Sequence, residues 1–395
     1  MQLAEINTQF TEIFDAKVDA NYFAPGRINL IGEHTDYNGG HVFPAAISLG
    51  TYAAVSPTTD HQLHLYSANF ASQGVHEIDL DQLAFNKDDD WTNFVKGEFF
   101  LLQAAGVDFK HGLNIYFYGN LPAASGLSSS SSIELLTGTI INAYYQLGKT
   151  PLDLIKLGQQ VENQYIGVNS GIMDQFAIGM GKKDQAIFLD TNTLDYQYYP
   201  IALDDYEIVI MNTNKPRALS DSKYNERRAE CEEALARLQK VVAIKSLGDL
   251  DAESFDEYCY AIDDEILIKR ARHAVLENQR TITAAKALTD GDLEKFGRLI
   301  NASHVSLEYD YEVTGIELDT LAHTAWQQPG VLGARMTGAG FGGCAIAVVK
   351  SANIPAFIEK VGAIYRETIG YDAGFYRAKI ADGPHKIVDQ DLIIE

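Results

Sequence analysis

The stretch Ala24-Pro25-Gly26-Arg27-Ile28-Asn29-Leu30-Ile31-Gly32-Glu33-His34-Thr35-Asp36-Tyr37-Asn38-Gly39-Gly40-His41-Val42-Phe43 sets a guanidinium, two carboxylates and an imidazole around a short apolar segment, Ile28 to Ile31. Glycines punctuate it on both sides of that segment, so the backbone must turn tightly there. Glu33 and Asp36 accept hydrogen bonds, Arg27 donates them and His34 does either. Such a set, aimed at one small volume, suits a polyhydroxylated ligand better than an ordinary surface loop.

Further along, Pro122-Ala123-Ala124-Ser125-Gly126-Leu127-Ser128-Ser129-Ser130-Ser131-Ser132 runs into the apolar Ile133-Glu134-Leu135-Leu136. A Gly/Ser loop that opens a helix presents unpaired N–H groups at the positive end of the helix dipole, where phosphate oxygens bind without a basic side chain. Its hydroxyls add donors, and one can ligate a divalent cation. The residues alone leave a second reading open, a Ser-rich cap behind a linker. A third group joins Glu162 to Gly171-Ile172-Met173-Asp174-Gln175. Asp174 is either a helix cap or the partner of Arg27 in an acid–cation pair, where the Arg would keep the carboxylate ionised and steady developing charge.

Two near-motifs fail on context. Ala143 to Thr150 nearly spells a phosphate-binding loop but lacks the first glycine and sits where a helix ends. Gly338-Ala339-Gly340-Phe341-Gly342-Gly343 contains G-x-G-x-x-G, yet the strand-like Cys344 to Val349 follows it, where a dinucleotide fingerprint requires a helix. Those glycines either admit a ligand close to backbone or make a turn.

A chain of 395 residues fits two domains better than one core. Its apolar fraction of 46 % excludes global disorder. Three cysteines without C-x-x-C spacing argue against a disulfide scaffold or structural zinc and for a reducing compartment. No apolar run approaches a membrane span, and Met1 to Ala20 do not read as a signal peptide, so a soluble cytoplasmic protein is expected. The formal charge of −23 disfavours nucleic acid and anionic membranes as partners. An anionic substrate therefore needs local compensation from a metal ion, a helix N-terminus or a few placed cations. Strand-like segments dominate the first half. Helical patterns dominate the second, over Glu226 to Val242, Ser254 to Leu288 and Asp292 to Ser303, with strands returning after the Gly-rich loop.

The segments Pro25 to Asn38, Gly126 to Ser132 and Thr337 to Gly343 resemble, in order and spacing, those of the GHMP kinases, which include galactokinase, homoserine kinase, mevalonate kinase and phosphomevalonate kinase. The Glu-His-x-Asp group at Glu33 to Asp36 resembles the signature of the galactokinases within that family. The likeness runs from about Ala24 to Tyr376. It implies an α+β, two-domain GHMP kinase fold, with an N-terminal domain over 1–205 built on a mixed sheet with helices. A C-terminal ferredoxin-like α/β domain over 206–395 would complete it, with the active site in the cleft between.

The resemblance further implies phosphorylation of the C1 hydroxyl of galactose by ATP with Mg²⁺, in a monomer whose partners are those small molecules. Carried over residue by residue, it gives Asp174 the C1 hydroxyl proton and Arg27 the transition-state charge. Glu33, His34, Thr35, Asp36, Asp174 and Tyr224 would contact the sugar. Ala124, Ser125, Gly126, Leu127, Ser128, Ser129 and Ser130 would cradle the ATP phosphates, Ser67 and Trp91 would line the nucleotide site, and Ser130 and Glu162 would ligate Mg²⁺. Two departures stand in the Ser loop: Ser131 where the family usually has Ala, and Ala124-Ser125 where Gly-Ala is common. Three competing readings are a galactose and ATP sensor without turnover, a hydrolytic metal site on Glu33, His34 and Asp36, and a kinase for N-acetylgalactosamine. The full-length Ser loop with both Arg27 and Asp174 present favours catalysis over sensing, and the first signature lacks metal-ligand spacing.

Overall fold

A computed structural model describes residues 2–122, 125–215 and 220–388, together with 392 and 394. The first half is built on a six-stranded sheet in the order His385–Ile387, Ala20–Asn29, Pro44–Pro57, Leu113–Gly119, Gln62–Ser67, His76–Asp79. All pairs are antiparallel except Leu113–Gly119 with Gln62–Ser67, which makes the sheet mixed. Helices Thr92–Ala104 and Ser129–Tyr144 pack on it through Val95, Phe99, Leu136 and Ile140. A three-stranded sheet, His41–Val42, Gln185–Asp190 and Tyr196–Pro200, lies beside it.

The second half holds a four-stranded antiparallel sheet in the order Val331–Thr337, Cys344–Lys350, Tyr206–Asn212, Gly374–Arg377. Read along the chain, these strands and the helices between them follow the βαββαβ path of a ferredoxin-like domain. The Gly338 to Gly343 loop joins two antiparallel strands, which rules out a dinucleotide fingerprint there. An apolar seam of Ile28, Leu30, Ile31 and Phe43 against Ile208, Ile210, Phe296 and Ile346 joins the halves. Asn29 adds a backbone N–H donated to Thr337 Oγ1 at 2.8 Å. Among the described residues no helix is long and apolar enough to cross a membrane.

Local signals explain several boundaries. Thr150 caps helix Pro151–Gln160, accepting from the Asp153 N–H while the Asp153 carboxylate accepts from the Thr150 N–H at 2.8 Å. The expected helix over Ser254 to Leu288 is instead two, Ala252–Tyr258 and Glu265–Thr289. Asp263 adopts positive φ between them, and Asp264 starts the second by accepting from the N–H groups of Ile266 and Leu267. The C-terminal strand His385–Ile387 pairs with Asn21 to Phe23, so the end of the chain packs with the first half and not with the second.

Candidate active site

Arg27 enters the site from a bent strand. Pro25 pairs with Gly50 but Gly26 pairs with Ile47, which leaves Ser48 and Leu49 without partners opposite and bulges the sheet at the pocket rim. Pro25, with no N–H to give, sits at this irregularity. Arg27 is buried, and its Nε and Nη2 donate to Asp174 Oδ1 and Oδ2, each at 2.8 Å. Its Nη1 donates to the Gly126 carbonyl at 2.7 Å. This fork fixes both partners and is stronger than a point-charge contact. Burial opposes the guanidinium charge, but Asp174, Glu33 and Asp36 outweigh it and leave the Arg27 pKa raised. Asp174 keeps an open side: its side chain is 31 % exposed against 4 % for Arg27.

The Gly/Ser loop arrives beside this pair. Gly126 and Ser128 both take positive φ, at 72° and 60°, and helix Ser129–Tyr144 starts directly after. The Ser128 hydroxyl donates to Asp174 Oδ2 at 2.5 Å and so does not cap the helix that follows it. Its first-turn N–H groups are thereby left to an anion. Ser130 Oγ donates to Glu162 Oε1 at 3.1 Å, and Ser170 Oγ donates to Glu162 Oε2. Glu162 sits on the π-helical turn Val161–Ile166. Burial pushes its carboxyl up, while the hydroxyls of Ser170 and Ser130 pull the other way. Ser131 is fully buried and does not line the site.

The opposite wall comes from the first signature and the Gly338 to Gly343 loop. Glu33 Oε1 accepts from the Gly338 N–H at 2.7 Å and lies 3.4 Å from Nη2 of the fully buried Arg335. Burial raises the Glu33 pKa against the pull of Arg335 and Arg27. Gly338 has φ 88°, and a Cβ there would sit 2.9 Å from the Gly126 carbonyl, so only glycine lets the two loops meet. Asp36 is pushed up to about 6, by burial and then by the charges of Asp174 and Glu33. A Cβ on Gly171 would fall 1.7 Å from Asp36 Oδ2, so this carboxylate occupies the space a side chain would need. Burial brings His34 down to about 3, so it is neutral. Tyr224 lines the same pocket, its phenol pushed well up by burial and then by Asp36 and Asp174.

Of the residues expected at the site, the pocket gathers Arg27, Glu33, His34, Asp36, Glu162, Asp174 and Tyr224. Gly126, Ser128 and Ser130 reach it through their bonds to Arg27, Asp174 and Glu162. Thr35 is a correction. It is fully buried, with its hydroxyl within bonding distance of the Gly32 and His41 carbonyls, so it shapes the turn and does not face the pocket. Leu127 is a core residue whose carbonyl accepts from the Arg27 N–H, Ser125 is buried, and Ser129 is exposed at the helix start. Ser67 and Trp91 are not among the residues that line this pocket. Trp91 packs near-parallel to Phe70 and donates to Gln73 Oε1 at 2.9 Å. Ala124 lies outside the described residues.

Sequence reasoning missed Val168, Ser170 and Met173 on the lining and Arg335 behind Glu33. Arg335 did leave a signal, as a lone cation inside the apolar strand Val331–Thr337.

The galactokinase galactose-binding signature matches residues 8–57, the N-terminal domain of GHMP kinases matches 93–182, and their C-terminal domain matches 284–367. A galactokinase of Lactiplantibacillus plantarum is 62 % identical over 387 residues, covering 98 % of this chain and 100 % of its own. One of Streptococcus mutans is 62 % identical over 383 residues, covering 97 % and 98 %. The crystal structure of Lactococcus lactis galactokinase complexed with galactose superposes with a TM-score of 0.95 at 55 % identity, covering 98 % of this chain and 100 % of that one. A mevalonate kinase structure at 20 % identity and TM-score 0.62, covering 91 % of this chain and 98 % of its own, shares the fold. The chain belongs to the galactokinases of the GHMP kinase family.

Proposed function

We propose that the protein transfers the γ-phosphoryl group of ATP to the C1 hydroxyl of galactose, with Mg²⁺, giving galactose 1-phosphate and ADP. The observation that carries this reading is the fork of Arg27 on Asp174 at the mouth of an uncapped helix. Among the described residues, Asp174 Oδ2 accepts from the side chains of Arg27 and Ser128, while Oδ1 accepts from that of Arg27. A carboxylate offers about four lone-pair sites, so Oδ1 keeps one for a sugar hydroxyl.

In that pose O1 attacks the γ-phosphorus as the bond to the β,γ-bridging oxygen breaks. The O1 proton passes toward Asp174, and ADP carries away the electron pair. Positioning and charge stabilisation do most of the work in such transfers. Here the helix N-terminus and Arg27 supply positive charge locally, which answers the difficulty set by a net charge of −23. Glu33, Asp36 and Tyr224 supply acceptors and a phenol for the sugar hydroxyls. An epimer that left one of these groups unpaired would be rejected strongly.

Ser130 and Glu162 fit a hard cation, being a hydroxyl and a buried carboxylate already in contact. When bound there, Mg²⁺ would neutralise phosphate charge. Three free thiols, Cys231, Cys259 and Cys344, support work in the reducing cytoplasm, and the protein is read as a monomer.

The test is ADP release with a panel of sugars. Galactose-dependent, Mg²⁺-dependent release well above that with N-acetylgalactosamine or glucose is expected. Sugar binding without turnover would replace the enzyme with a sensor.

A further inference from the structure

A line of buried hydrogen bonds ends on the pocket imidazole. His34 Nε2 lies 3.1 Å from the Ala339 carbonyl oxygen, and Nδ1 lies 2.7 Å from the Tyr37 hydroxyl. Tyr37 meets the Tyr311 hydroxyl at 2.7 Å, and Tyr311 meets Cys231 Sγ at 3.1 Å. His34, Tyr311 and Cys231 are buried, and Tyr37 is partly so.

Chemistry fixes the direction of every one of these bonds. A carbonyl only accepts, so Nε2 must carry the hydrogen. The imidazole is neutral, so Nδ1 is an acceptor and Tyr37 donates to it. That commits the one Tyr37 hydrogen, and Tyr311 must donate to Tyr37. The Cys231 thiol must then donate to Tyr311. The reverse wiring would set two lone pairs against each other at the Ala339 carbonyl, inside the protein.

The four segments involved come from both halves of the molecule: the turn Asp36–Asn38, helix Ser220–Leu238, the π-helical turn Leu307–Tyr311 and the Gly338 to Gly343 loop. Arg227 holds the Tyr311 end, donating from Nε to its carbonyl at 2.7 Å.

We propose that Cys231, Tyr311 and Tyr37 are positioning residues that hold His34 as its Nε2–H tautomer. In that state His34 clasps the Ala339 carbonyl and keeps the Gly-rich loop against Glu33, on the sugar side of the pocket. This rests on the reading of that pocket as the galactose site. Both ring nitrogens are engaged by protein, so His34 acts on the sugar mainly by holding this wall in place.

Selective ¹⁵N labelling of histidine rings tests the relay directly, with the His34 signals assigned from the spectrum of His34→Gln. The unliganded parent should show a protonated Nε2 and an unprotonated Nδ1 at His34. Tyr37→Phe removes the donor to Nδ1 and leaves the single 3.1 Å contact to the Ala339 carbonyl to select the tautomer, so the Nδ1–H form should become detectable and the galactose KM rise about tenfold with the ATP KM unchanged. Cys231→Ala should act in the same direction, more weakly, and Cys231→Ser should restore both readouts because it still donates. A parent His34 protonated on Nδ1, or tautomers unmoved in Tyr37→Phe and Cys231→Ala alike, overturns the relay and leaves the sugar assignment intact. Tautomers that mix while the galactose KM stays fixed overturn the link from the relay to the pocket wall, and absence of galactose-dependent turnover in the parent is the separate result that would overturn the sugar reading.

Discussion

Glu33 accepts a hydrogen bond from the backbone of Gly338 at 2.7 Å, across 305 positions of sequence. The bond ties the first signature to the last glycine loop, and Arg335 behind it is the cation that balances the buried carboxylate.

That pair is a buried charge pair, so breaking it is costly. Arg335→Met removes the larger of the two cationic pulls on Glu33, leaving that of Arg27, and is expected to destabilise the protein by about 3 kcal/mol. Adding Glu33→Gln should recover part of the loss, since the amide still accepts from Gly338. Urea unfolding of both single variants and the double variant measures this, and additive losses would refute the coupling.

At the reacting end, Arg27→Ala and Asp174→Asn should each lower kcat by about a thousandfold. Folding should hold for Asp174→Asn, whose amide keeps the size of the carboxylate. Turnover, circular dichroism and thermal melts on the same samples separate lost chemistry from lost structure. Substantial kcat in either variant would remove the assigned role.

Asp36 carries a pH signature. Its folded pKa, about 6, lies above the ordinary carboxylate value. The native state therefore holds a proton that the unfolded chain has released, and this contribution to stability is present at low pH and lost as pH rises through about 6. Sugar hydroxyls favour the ionised form, so galactose binding near pH 6 should release protons. Calorimetry in buffers of differing ionisation heat reads that release, and Asp36→Asn should abolish it.

Gly171→Ala forces a methyl group into the Asp36 carboxylate. The expected result is a galactose KM raised at least tenfold with little change for ATP, measured by steady-state kinetics. An unchanged KM would mean that Asp36 is not held where the sugar needs it.

Much of this was legible in the sequence because the chemistry is concentrated in short loops. Arg27, Glu33 and Asp36 share one glycine-punctuated turn, and the Gly/Ser loop announces its helix. Thr35 was misread because adjacency in a loop does not set direction: its hydroxyl turns inward to two carbonyls. Ser170 meets Glu162 only eight residues back, because the π-helical turn and the loop after it fold over each other, whereas the lone cation Arg335 finds Glu33 across the fold, and no local pattern names that partner. The break at Asp263-Asp264 was obscured because apolar residues at helical spacing continue on both sides of it. The return of the last strand to the first sheet was invisible, since three residues carry no periodicity.

That returning strand has a mechanical consequence. The chain passes from the three-stranded sheet into the four-stranded one before Tyr206 and returns to the six-stranded one after Arg377, so the halves are tied twice. A single tether would leave a pivot free to swing in any direction. Here two crossings flank the buried seam of Ile28, Leu30, Ile208 and Ile346, so parting the halves would strain both crossings and that seam at once.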